Sequence, residues 1–255
     1  MVISTSIANT AIITANSGQK YPTIIWALII TGSSATALGI IALYRYGLHG
    51  AHGKSYLFLT MGLAMWLSAD ITLGCYYYTS GTEEQRLVSF TDFFWILGYI
   101  FLSLHLITVL KILSKKICRK VIIVPSLVTG IFIIVNIITL TPDVIKTEDL
   151  APFIITITYP ILDLSLIIPS LLILLAVRSD YEQSIPWFLS SLSLLINAIA
   201  DDGYVRDFVS SNSHNLWFWD LFYVADFIIM AGALFWYNKF HISSKLLNYD
   251  HHHYD

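Results

Sequence analysis

The chain has 255 residues, 56% of them hydrophobic and 12% charged, with a mean hydropathy of +0.69 and a formal net charge of −3. A soluble domain carries about a quarter charged residues, so this composition excludes an ordinary soluble fold. The small net charge points to no particular partner, and a nucleic-acid partner is not expected.

Apolar runs of about 20 residues recur along the chain, the length that matches the hydrocarbon thickness of a bilayer. The first follows a polar stretch rather than a basic one and shows no clear cleavage site. It therefore reads as a retained span, with residues 1–21 an extracytoplasmic segment. Seven spans follow in order: 22–44, 55–78, 90–112, 121–141, 152–177, 186–205 and 216–238. Lipid offers no partner to an open strand edge, so the spans are predicted helices. The expectation is an all-α, polytopic membrane protein with a seven-helix domain at 22–240 and a cytoplasmic tail at 241–255. Pro22, Pro152 and Pro186 are expected at helix starts, where a missing N–H costs nothing. Pro160 and Pro169 predict kinks in the fifth span and Pro125 one in the fourth.

Ten of the 14 basic residues fall on one set of alternate loops, dominated by "KILSKKICRK" at 111–120. The positive-inside rule then places the N-terminus outside and the C-terminus in the cytoplasm. Cys75 and Cys118 fall at opposite membrane faces and cannot pair.

Residues 90–106, "FTDFFWILGYIFLSLHL", align with residues 218–234, "FWDLFYVADFIIMAGAL". Upstream, "MWLSADITLGCYYY" resembles "LLINAIADDGYVRDF", which sets Asp70 opposite Asp201 or Asp202. Spans two and three thus match six and seven, with the fourth as linker: a parallel 3+1+3 internal repeat about an axis along the membrane normal.

Seven carboxylates lie within the spans or at their edges: Asp70, Asp92, Asp163, Asp201, Asp202, Asp220 and Asp226. Span directions put all of them in the outer half. Trp66 and Asp70, Tyr159 and Asp163, and Asn197 and Asp201 are each four apart and share a helix face. Asp92, Trp95 and Tyr99 form one stripe, and Asp220, Tyr223 and Asp226 another. Burying one carboxylate costs roughly 2.5–3.5 kcal/mol on insertion scales, and the nearest basic residues, Lys20 and Arg206, sit at the outer edge. Some of these acids must be protonated, hydrogen-bonded or neutralised by a bound cation. A plainer alternative makes Asp92, Asp202 and Asp220 helix caps or solvated groups, and Tyr76, Tyr77, Tyr78 and Trp217 an interfacial belt. Asp163, beside Pro160, is expected to face a wet cavity open to the outside.

In order, "FTDFFWILGYIF", "YPILDLSLI" and "LLINAIADDGY" resemble the membrane-embedded seven- or eight-helix N-terminal sensor regions of bacterial and archaeal signalling proteins of the diguanylate cyclase and histidine kinase type. The features shared are Asp92, Trp95, Gly98 and Tyr99; Tyr159, Pro160 and Asp163; and Asp201 or Asp202. The resemblance covers about residues 55–235 and implies a sensor module. The sequence departs from the pattern in carrying no output domain, which implies a separate cytoplasmic signalling partner.

The expected function is a sensor that binds a proton, metal, small cation or polar molecule among these thirteen acidic, aromatic and amide residues. A small-solute transporter and a structural subunit partnering other membrane subunits are the alternatives. Catalysis is not expected: His105 is the one histidine within a span, and no catalytic constellation stands out. A retinal cofactor is not expected either, because Lys239 lies at the cytoplasmic end of span seven and no lysine lies mid-membrane.

Overall fold

The computed structural model describes residues 2–80, 89–113, 119–144, 150–177, 181–209 and 216–242. Most of the basic 111–120 segment's loop and nearly all of the expected tail lie outside the described residues. Eight α-helices follow one another: α1 Val2–Thr14, α2 Ser17–Tyr46, α3 Gly50–Ser80, α4 Phe90–Leu113, α5 Arg119–Val144, α6 Leu150–Val177, α7 Tyr181–Val209 and α8 Leu216–Trp236. A π-helical turn, Tyr237–Ile242, continues α8. Among the described residues there is no strand.

Five segments are long and apolar enough to cross a membrane: Gln19–Tyr46, Gly50–Ser80, Phe90–Leu113, Thr158–Val177 and Leu216–Phe240. Their outer faces carry large apolar side chains, including Ile30, Phe93, Ile161 and Phe235. A helix that is apolar all round belongs in a large core or a bilayer, and here the faces turned away from the core are the ones left bare. Helix α7 is not among the five. Its inward face carries Ser190, Ser193, Asn197 and Asp201, spaced i, i+3, i+7 and i+11, one polar stripe on a helix.

Helix α1 is an addition to the sequence reading, which left this segment outside the fold. Ile12 is fully buried there, and the helix packs against α8 and α2. Two prolines also depart from expectation. Pro22 and Pro186 lie inside α2 and α7 rather than in the first turn, because both helices begin several residues before their apolar runs do. Helix α6 continues through Pro160 and Pro169.

The main contacts run α2–α3–α4–α6–α7–α8 and back to α2, a closed ring of six helices. Helix α5 stays outside the ring, packed chiefly on α6. The ring interior is layered. Leu63, Leu102, Leu166, Leu194 and Met230, one each from α3, α4, α6, α7 and α8, are at most 1% exposed. Each sits three or four residues, about one turn, from a polar or aromatic residue of the expected site: Trp66, Tyr99, Asp163, Asn197 and Asp226 respectively.

The tightest seam joins α3 to α4. A Cβ placed on Gly98 would come within 2.2 Å of Trp66 Cδ1, and one on Gly62 within 2.6 Å of Leu102 Cγ. The Trp66 ring has little freedom to yield, since its Nε1 donates to the Trp95 carbonyl at 3.2 Å. Gly98→Ala is therefore expected to destabilise the fold by about 1–3 kcal/mol, the usual cost of overpacking, read as a lowered midpoint of thermal unfolding in detergent.

Candidate functional site

Asp201 of α7 is the centre of the polar interior. Its Oδ1 accepts from the Tyr223 hydroxyl of α8 at 2.5 Å, and its Oδ2 accepts from Asn197 Nδ2 at 3.0 Å and from the Tyr99 hydroxyl of α4. That same Tyr99 hydroxyl lies 2.5 Å from Asp163 Oδ1 of α6. One carboxyl and one phenol thus tie together α4, α6, α7 and α8. Asp163 is fully buried, and its second oxygen has no hydrogen-bond partner. Tyr99 is 1% exposed, its ring edge-on to Trp66 and to Tyr159.

A second link joins α6 to α4. The Tyr159 hydroxyl donates to Asp92 Oδ1 at 2.5 Å, while Asp92 Oδ2 accepts from the Ser89 backbone N–H at 2.6 Å. Ser89 Oγ in turn accepts from the Thr91 N–H at 3.2 Å. Asp92 stands three residues into α4 from Ser89, so it closes a capping box on the helix start. Cap and site are therefore both properties of Asp92, one on each oxygen.

Asp226 of α8 accepts from the Ser193 hydroxyl of α7 with Oδ1, and its buried Oδ2 has no partner. Asp70 of α3 is 7% exposed with a buried, unpartnered Oδ2, and it lies in electrostatic range of Asp220 and Asp226. Asp220 is half-buried near the start of α8. Asp202 separates from its neighbour: it pairs with Arg206, one turn further on. Adjacent residues on a helix point about 100° apart, and here that angle turns Asp201 toward Tyr99 and Tyr223 and Asp202, itself buried, toward Arg206. Trp95 is half-buried and takes part through its backbone carbonyl.

The cations near these acids lie at the rim. Arg206 is taken by Asp202, and the Lys20 ammonium sits 3.8 Å over the Trp217 ring. Tyr77 stacks edge-on against Tyr21, and Tyr78 tilts against Trp26, so these tyrosines contact α2 rather than the acids. Among the described residues no group of three His, Cys, Asp or Glu is set to hold a metal ion. Asp163, where a wet cavity was expected, is fully buried and in contact through Oδ1 with the Tyr99 hydroxyl. A groove of ≈ 340 Å³ lies elsewhere, between α5 and α6, lined by Pro125, Ser126, Thr129, Gly130, Ile133, Ile168 and Leu172.

The sequence reading missed a polar cluster at the other end of the ring. His105 Nδ1 lies 2.9 Å from Ser55 Oγ and 3.0 Å from the Ser55 carbonyl. Its ring stacks on Trp187 at 6.2 Å, and Tyr56 stacks on Tyr237 at 4.0 Å. Arg45 donates to the Asn238 carbonyl at 2.6 Å, and Asn238 Nδ2 donates to the Leu38 carbonyl at 3.0 Å, pinning the π-helical turn to α2. Ser193 was readable, being four residues before Asn197 on the same face. Tyr56, Trp187 and Tyr237 were not, because aromatics in apolar spans carry no mark of pairing.

No protein-family model matches this chain, and no curated protein or solved structure matches it. The fold and site define an all-helical protein with five helices able to cross a membrane and a buried carboxyl–tyrosine network inside its ring.

The network makes an ordered prediction. Tyr99→Phe removes the one hydroxyl shared by two buried carboxyls and is expected to cost about 1–3 kcal/mol, the range for leaving a buried polar group unsatisfied. Tyr223→Phe leaves Asp201 with two other donors and is expected to cost less. Thermal unfolding of both variants under one detergent condition checks the order.

Proposed function

We propose that this chain is a sensor-type integral membrane module with seven spans, α2 to α8, its N-terminus outside and its C-terminus in the cytoplasm. The carboxyl–tyrosine network lies in the outer half and takes up a proton, a small cation or a polar ligand. The change passes to a signalling partner at the cytoplasmic end. The parallel 3+1+3 repeat belongs to this reading: the ring order α2–α3–α4 then α6–α7–α8, with α5 left outside, is the arrangement two such halves and a linker make. The loop bias of lysine and arginine supports the orientation.

The observation that carries the reading is the linkage of four helices through Asp201 and Tyr99. A structural carboxylate needs one or two local donors. This one draws donors from three helices and shares one of them with a second acid, so its charge state bears directly on how those helices sit. A ligand acts on such an equilibrium only through different affinity for two arrangements, and added positive charge at the network supplies that difference by relieving carboxylate repulsion. Helix α8 offers the route inward, holding Tyr223 at one end and leading into Tyr237 and Asn238 at the other.

A transporter is the second reading, favoured by the polar stripe of α7 and the orphaned Asp226 oxygen. The layer of Leu63, Leu102, Leu166, Leu194 and Met230 weighs against it, since five fully packed apolar side chains separate the acids from His105. Conduction would have to part this layer, whereas sensing needs only a shift of packed helices.

The test is a distance measurement. Spin labels at Tyr44→Cys and Phe240→Cys, both exposed positions, in a Cys75→Ser, Cys118→Ser background report the cytoplasmic end in lipid nanodiscs. Acidification or an added cation is expected to move the pair by about 1–2 Å, the scale of interface helix shifts, and Asp201→Asn is expected to abolish the response. An unchanged distance under every condition sinks the sensor reading.

A further inference from the structure

We propose that Asp163, Tyr99 and Asp201 form a proton-binding site that holds one exchangeable proton between two carboxyls, so that the ligand of the receptor cluster is the proton itself. This rests on the receptor reading above and names its ligand.

The argument begins from a count of hydrogens. The Tyr99 oxygen is in hydrogen-bond contact with Asp163 Oδ1 and with Asp201 Oδ2. A phenol has one hydrogen to donate, so with both acids ionised one of these contacts sets an oxygen lone pair against a bare carboxylate. A single added proton turns both contacts into hydrogen bonds. Asp163 Oδ1–H donates to the Tyr99 oxygen, and the Tyr99 hydroxyl donates to Asp201 Oδ2.

The surroundings say which acid carries the proton. Asp201 receives three donors, from Tyr99, Tyr223 and Asn197, and donors of that kind favour an ionised carboxyl. Asp163 has Tyr99 and a direct contact with the Asp201 carboxyl itself. Its other oxygen is buried at zero exposure with no partner, next to the packed Leu166. A bare carboxylate oxygen there costs several-fold more than a neutral one. Asp163 is the proton carrier and Asp201 its counter-charge.

The ionisable groups around the pair fit this assignment. From α4 come Tyr99, and Asp92 by way of Tyr159; α6 itself adds Tyr159. From α7 come Asp201 and, at longer range, Asp202. From α8 come Tyr223 and, acting on Asp201, Asp226. Helix α5, on the outer side of α6, carries its ionisable residues Arg119, Lys120 and Asp143 at its two ends. Among the described residues the groups facing the pair are acids or phenols, and the nearest guanidinium, Arg206, is taken up by Asp202. Half-buried Asp201 and Tyr159 give it a way in.

Loss of the proton leaves two carboxylates competing for one phenolic hydrogen. Repulsion then acts between α6 on one side and α4 and α7 on the other, across the seam that the triad closes. The movement is of α6, and it supplies the two arrangements a sensor requires.

Infrared difference spectroscopy of the purified chain in nanodiscs tests the site. A carbonyl stretch from a protonated carboxyl is expected in neutral buffer, falling as the buffer is made alkaline and shifted by isotope-labelled aspartate. Asp163→Asn should remove it and Tyr99→Phe should move its frequency, while Asp207→Asn, whose carboxyl accepts from Trp219 Nε1 at 2.8 Å outside the triad, should leave it unchanged. Sodium, calcium or choline at fixed pH should not alter its area. The proposal fails if no such band exists, if the band survives in a folded Asp163→Asn, or if one of those cations removes it at fixed pH. Should Asp163→Asn not fold, an unmoved frequency in Tyr99→Phe overturns the assignment instead. A titrating band with no movement at the cytoplasmic labels would defeat the sensor reading and leave the proton site standing. Cation-driven movement without the band would do the reverse.

Discussion

A carboxyl buried among helices that face lipid has no water to fall back on, and the whole interior follows from how this is met. In the ring, Asp92, Asp201 and Asp226 each take a donor from a neighbouring helix, Tyr159, Tyr223 and Ser193, and Asp163 shares the Tyr99 hydroxyl with Asp201. Lipid tails are as apolar as leucine, so helices in a membrane gain little hydrophobic drive to associate, and packing and interhelical hydrogen bonds carry more of the burden. The acids therefore cost energy individually and join helices collectively. Tyrosine suits this role: it reaches across a helix interface, fills the space with its ring and delivers one directional donor.

The same constraint explains the layering. Donors and acids gather in one stratum, a leucine and methionine stratum closes beneath them, and a second polar stratum, built on His105, Trp187, Tyr56 and Tyr237, sits at the far end. The middle stratum keeps the two polar ones electrically apart while coupling them mechanically, because close-packed side chains pass on a displacement and exclude an ion. Helix α8 crosses all three strata and ends in a π-helical turn held by Arg45 and Asn238. π-helical turns are uncommon, and this one carries Tyr237 and Asn238 into the second polar stratum.

Much of this was legible in the sequence for a simple reason: helix periodicity is strict. Tyr159 with Asp163, and Asn197 with Asp201, share a face by spacing alone, and the pairs meet inside the ring as that spacing requires. Each of the first six expected apolar runs also falls within one helix, and the seventh, 216–238, runs through α8 into the π-helical turn. Three things were hidden. The segment Val2–Thr14 is apolar but too short to signal a span, and its fully buried anchor, Ile12, acquires meaning only once α8 lies beside it. The adjacent Asp201 and Asp202 are indistinguishable by type and separate only by their 100° offset around α7. The wet cavity was an inference from charge alone, which could not see that Tyr99, Tyr159 and Tyr223 reach the acids with their hydroxyls. Serine is near neutral on hydropathy scales, so Ser190 and Ser193 went unmarked on the α7 face where Asn197 and Asp201 were read.

The competition between one phenol and two acids gives the network a property that a fully satisfied one lacks. Were Asp163 bonded by two donors of its own, its protonation would change little and the four helices would be locked. Were it absent, Asp201 would be a stable anchor with three donors and no reason to move. Sharing Tyr99 leaves the arrangement one hydrogen short in one charge state and complete in the other. A membrane protein gains stability from complete polar networks, and in this triad the contact that changes with charge state is confined to a single hydroxyl shared by two acids. That confinement is what separates the triad from Asp226, where Ser193 is bound to one acid alone, and from Asp202, whose charge is answered by Arg206.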